Sequence, residues 1–86
     1  MQYDDDTIGR VWEQARIIAN RDPRKWRQDE CGAWLYREHY GSTESEFGWW
    51  IADLSADRDA DPADLRAFHH KNTYDPTNNE ARCRVA

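Results

Sequence analysis

Apolar residues return every three or four positions in "DDDTIGRVWEQARIIAN", where Ile8, Val11, Trp12, Ala15, Ile18 and Ala19 make one face of an amphipathic helix. Asp5 or Asp6 can cap its first amides, the acidic cluster suits the positive end of the helix dipole, and Asn20 with "RDP" ends it. The pattern then becomes irregular. "RKWRQDECGAWLYREHYG" sets Trp26, Trp34, Tyr36 and Tyr40 between the breaks at Gly32 and Gly41, which predicts short strand or turn pieces. From Glu46 to Leu54 the aromatic and β-branched content predicts a strand. "SADRDADPAD" reads as a polar loop, "LRAF" as a short second strand, and "HHKNTYD" as the start of a helix that Pro76 limits to about two turns. Ala81, Cys83 and Val85 alternate in "ARCRVA" with the period of a half-buried strand. The whole chain, residues 1–86, thus reads as a single α+β domain whose second half runs strand, strand, helix (ββα) behind an N-terminal helix.

A domain of 86 residues buries only roughly 60–65% of the surface its unfolded chain exposes, so large side chains must do much of the packing. Five Trp, four Tyr and two Phe supply them. The net charge of −5 argues against a general nucleic-acid binder, whose affinity comes from Lys and Arg displacing counterions. Arg10, Arg16, Arg21, Arg24, Lys25 and Arg27 nonetheless crowd the first third, while Asp53, Asp57, Asp59, Asp61 and Asp64 crowd the middle. The basic run reads as a solvated flank, and the acidic middle as a surface that attracts a basic protein. No stretch approaches a membrane span, and "MQYDDD" lacks the features of a signal peptide, so a cytoplasmic protein is expected. In that compartment Cys31 and Cys83 are expected as reduced, buried thiols; two isolated Cys do not make a zinc site.

"VWEQARIIANRDPRKWRQDECGAWLYREHYGSTESEFGWWI", continued by "DLRAFHHKN" and "ARCRV", resembles the small bacterial and phage proteins of the HNH endonuclease superfamily over residues 11–86. "RQDECGAW" followed at this spacing by "FGWWI" is the most specific part. The resemblance implies a ββα-metal core in which an Asp beside the catalytic His holds a divalent ion. The His draws a proton from the attacking water, and an Asn or His on the following helix completes the metal site.

This chain departs from that pattern where the chemistry sits. The family's Glu-Ile-Asp-His falls on Trp50, Ile51, Ala52 and Asp53, so Ala52 replaces the metal carboxylate and Asp53 the base. An exposed carboxylate titrates near 3.9 and is too weak a base at neutral pH. The central Asn falls on Asp64, the helix's paired Asn on Asn72 and Thr73, and its downstream Lys on Pro76. Trp50 and Ala52 share the strand face that the family uses for its metal cleft.

The resemblance therefore implies a catalytically inactive pseudoenzyme that needs no cofactor and acts by binding a protein. Trp50, Asp53, Asp57, Asp59 and Asp61 are the candidate contact residues for a basic, nucleic-acid-binding surface, with no direct nucleic acid expected. Small acidic proteins of this kind suit phage counter-defence, in the host cell cytoplasm if phage-encoded, such as anti-CRISPR inhibition of a nuclease complex. The alternative is a metal-dependent DNA endonuclease with a rearranged site built from Asp53, His69 and Asn72.

Overall fold

In a computed structural model, residues 3–55 and 64–86 are described. Helix α1 spans Asp5–Gln14. Its cap is Asp4, not Asp5 or Asp6: Asp4 is extended and its carboxylate accepts the Thr7 amide at 2.8 Å, leaving the next two acids in the first turn, near the positive end of the dipole. Ile8, Val11 and Trp12 are buried, as the stripe predicts.

The helix ends one turn earlier than the apolar spacing suggests. Arg27 explains why, because its guanidinium donates to the carbonyls of Glu13 at 2.8 Å and Ala15 at 3.0 Å, and its Nε donates to that of Pro23 at 3.0 Å. Orphan carbonyls at a helix end need such partners. Beyond them Arg16–Ile17 runs as strand β1, with Ile17 64% exposed rather than continuing the buried face. β1 pairs antiparallel with β2 (Trp26–Gln28), and β2 with β3 (Trp34–Tyr36). Gly32, at φ +90°, makes the tight connection between β2 and β3, a conformation that favours glycine.

The second sheet pairs β4 (Trp49–Asp53) with β5 (Leu65–His69) in antiparallel register, Trp49 opposite His69 and Asp53 opposite Leu65. Its inner face supplies Trp49, Ile51, Leu65 and Ala67, which close a core with Leu35 of β3 and with Ile8, Val11 and Trp12 of α1. The Trp12 and Trp49 rings meet at 5.2 Å between centroids, and both are buried.

The expected helix after the second strand is corrected. Thr73–Asp75 forms β6, which pairs antiparallel with β7 (Glu80–Arg82), so a hairpin stands where ββα order calls for a helix. The turn chemistry accounts for it. Asp75 accepts the amides of Thr77 and Asn78, binds Arg82 at 2.8 Å across the hairpin, and Asn79 takes the left-handed conformation at φ 53°. The strand foreseen in the closing "ARCRVA" is present only as β7, and Cys83 and Val85 lie beyond it.

The expected free thiols are also corrected: Cys31 and Cys83 form a disulfide, with Cα atoms 5.6 Å apart and a separation of 52 positions in sequence. Among the described residues, no helix is long and apolar enough to cross a membrane. The fold is a compact α+β arrangement of one helix and several antiparallel strands.

Candidate functional site

The β4–β5 ribbon carries the candidate residues at its two ends. At the far end Ala52 is buried and pairs with Arg66, whereas Asp53 is exposed. The Asp53 carboxylate accepts the Ser55 amide at 2.8 Å, and hydrogen bonding from the Ser55 side chain first and from this amide second lowers its pKa below the usual carboxylate value. A base weakened further in this way is poorly suited to deprotonating water at neutral pH. Asp64, at the start of the second strand, offers its backbone carbonyl to Leu54 at 2.8 Å.

At the near end the polar residues are committed to structure. His69 is buried and pairs with Trp49. Its Nε2 lies 2.7 Å from the Glu46 carbonyl, which can only accept, so Nε2 carries the proton; its Nδ1 accepts the Lys71 amide at 3.1 Å. Both ring nitrogens are thereby occupied in one neutral tautomer. Asn72 is equally committed. Its Nδ2 donates to Asp29 and to the Val85 carbonyl, and its Oδ1 accepts the amides of Arg84 and Val85, all within 2.9 Å. Thr73 faces solvent in β6.

Asp29, which the sequence reading passed over, is the hub of this end. It is buried, and its carboxylate accepts the amides of Cys31, Ala33 and His69 together with Nδ2 of Asn72, at 2.9–3.0 Å. Among the described residues no cation pairs with it, and a buried carboxylate then depends on several such donors. The available signal was "DECGA", an Asp three residues ahead of a Gly, the composition of a loop whose carboxylate caps its own amides.

The structure therefore separates Asp53 from the other two residues of the rearranged metal site, His69 and Asn72, which lie together. Asp53 lies four register positions along β4 from the Trp49–His69 pair, about 13 Å at strand rise, and His69 and Asn72 have no open ligating atom. Among the described residues, no group of three or more His, Cys, Asp or Glu is placed to hold a metal ion. His70 stacks on His69 at 4.4 Å, donates its Nε2 proton to the Ser45 carbonyl at 3.0 Å, and lines a cleft of about 400 Å³ with Glu44, Glu46, Phe47 and Lys71.

Trp50 stands on the outer face of β4, 38% exposed. Its indole Nε1 donates to the Asn72 carbonyl at 3.0 Å, so the ring is held in one orientation by the same residue that anchors the C-terminal segment. Asp57, Asp59 and Asp61 lie outside the described residues.

No protein-family model, no curated protein and no solved structure matches this chain.

Proposed function

We propose that this chain is a non-catalytic relative of the HNH endonucleases that works by binding another protein, with Trp50 as the anchor of the contact. The observation that carries the reading is the pinned, part-exposed Trp50 ring on the outer face of β4. A ring already fixed in one orientation loses little rotamer freedom on binding, and Trp is over-represented among residues that dominate interfaces. The residues at the family's reactive positions support the same reading, since Ala52 offers no ligand, Asp53 is a weakened base, and Asn72 is saturated by structural hydrogen bonds. The β6–β7 hairpin occupies the stretch from which that family draws its metal-binding helix.

The partner is a basic surface of a host nucleic-acid-targeting nuclease complex, and the effect is inhibition of the anti-CRISPR kind. Net charge −5 and the acids Asp57, Asp59 and Asp61 favour such a surface, where carboxylates take the place of phosphates. The test is target cleavage by purified CRISPR effector complexes with the protein added. Cleavage should fall with protein concentration, and Trp50→Ala should weaken the inhibition by more than about 1 kcal/mol in apparent affinity, the scale of an interface anchor. Replacement of Asp57, Asp59 and Asp61 by Asn should slow association. Undiminished inhibition by Trp50→Ala would remove the ring from the contact.

A further inference from the structure

A second aromatic surface lies on the other sheet. Directly paired residues of antiparallel strands point the same way, and residues two apart share a face. The register Arg16↔Gln28, Gln28↔Trp34 and Trp26↔Tyr36 therefore puts Arg16, Gln28, Trp26, Trp34 and Tyr36 on one side of β1–β2–β3. Arg27 and Leu35 take the opposite side, where Leu35 enters the core and Arg27 holds the end of α1. The ring-bearing side is thus the outward one, a place where a sheet covering a core is ordinarily polar.

Three of those five outward positions are rings, each half-buried. Trp26 sits at the centre, edge-on to Trp34 at 5.7 Å, to Tyr36 at 4.8 Å and to Phe47 at 5.0 Å. The cluster holds the rings rigid. The Arg21 guanidinium lies 5.5 Å from the Trp34 centroid, and Arg16 occupies the edge strand beside Gln28. Leaving aside Arg27 on the opposite side, residues 16–28 carry four cations (Arg16, Arg21, Arg24, Lys25) and one acid, Asp22, an excess of three positive charges in a molecule whose net charge is −5. That single acid is already bound by Arg24 at 3.1 Å.

We infer that this face binds single-stranded nucleic acid, with unpaired bases against Trp34 and Trp26 and the backbone phosphates against Arg21 and Arg16. A single strand repeats a flat ring and an anion at every unit, which is the pairing of ring and guanidinium that this face presents. A duplex hides its base faces, and nothing on this flat sheet projects to enter a groove. At strand spacing the face has room for about two or three bases. The inference stands apart from the Trp50 contact and departs from the expectation drawn from net charge, because affinity for a polyanion follows the local distribution of cations.

Fluorescence anisotropy of labelled oligothymidine and oligouridine tests it, with a duplex of equal length as the comparison. Saturable binding to a single strand is expected at about 50 mM salt, at least about tenfold tighter than to the duplex and weakening steeply toward about 200 mM. The two labelled strands show whether DNA or RNA is preferred. Trp34→Ala and Arg21→Glu should each weaken binding by at least about fivefold, the loss of one stacked base or one phosphate contact. Lys71→Ala, an exposed cation outside this face, should leave it unchanged. Arg21 is exposed, so Arg21→Glu decides the matter even where Trp34→Ala does not fold. No saturable binding at low salt, equal affinity for the duplex, or full affinity in Arg21→Glu overturns the inference.

Discussion

The two ends of the β4–β5 ribbon differ in what their polar groups do. Around Trp49 and His69, every ring nitrogen of His69, every polar atom of Asn72 and both carboxylate oxygens of Asp29 have a partner inside the protein. Around Ala52 and Asp53 one short buried side chain stands beside one exposed acid whose bond goes to a neighbouring turn. Residue types suited to metal chemistry are committed to structural hydrogen bonds at one end, while at the other end the described residues Ala52 and Asp53 offer one small apolar side chain and one weakened carboxylate. It also separates residues whose loss should unfold the chain from residues whose loss should only alter its contacts.

Asp29→Ala should produce the largest effect. It removes the acceptor of four donors, three of them buried, and at the low end of the cost of each buried donor the loss is at least about 3 kcal/mol in urea unfolding. A loss under about 1 kcal/mol would break the comparison at its structural end. Reduction of Cys31–Cys83, or Cys83→Ser, should cost about 2–4 kcal/mol, because a closed loop of this length restricts the unfolded chain. Calorimetry with and without reductant reads this directly, and an unchanged melting temperature contradicts it.

Trp50→Ala should cost less, about 1–2 kcal/mol, since the ring is part-exposed and loses one hydrogen bond, against about 3–5 kcal/mol for truncating a fully buried Trp such as Trp49. Equal losses at Trp49 and Trp50 would make both rings core. The smallest effect belongs to Asp53. Its folded-state pKa is lowered from 3.8, so its hydrogen bonds from the Ser55 side chain and amide add stability above that pH and lose it as the pH falls through the folded value. The stability difference between the wild type and Asp53→Ala should therefore shrink as the pH drops below 3.8, and a difference that grows on acidification contradicts the assignment.

Much of the local structure was legible. The stripe Ile8, Val11 and Trp12 and the acidic run before it give the start of α1, and the Glu46–Leu54 reading contains β4. What could not be read depends on residues distant in sequence. The end of α1 is set by Arg27, 12 residues beyond Ala15, and without that guanidinium the run Ile17-Ile18-Ala19 looks like more helix. Thr73–Asp75 is a strand because Glu80–Arg82 lies beside it, although "DPTNN" between them is turn composition that could have signalled a hairpin. The disulfide is unreadable in principle from two cysteines 52 residues apart, since spacing says nothing about whether the fold joins them. At the site, Ala52 and Asp53 were read from the strand alone, whereas the commitment of His69 and Asn72 depends on Glu46, Asp29 and the C-terminal segment.

Among the described residues the tip of β4 offers only Ala52 and the weakened base Asp53, and we propose that it does not hydrolyse nucleic acid, which plasmid nicking tests most directly. Purified protein incubated with supercoiled DNA and Mg²⁺, Mn²⁺ or Ni²⁺ in turn should leave the plasmid intact with every ion. Metal-dependent conversion to the open circle that disappears in Asp53→Ala would contradict the account.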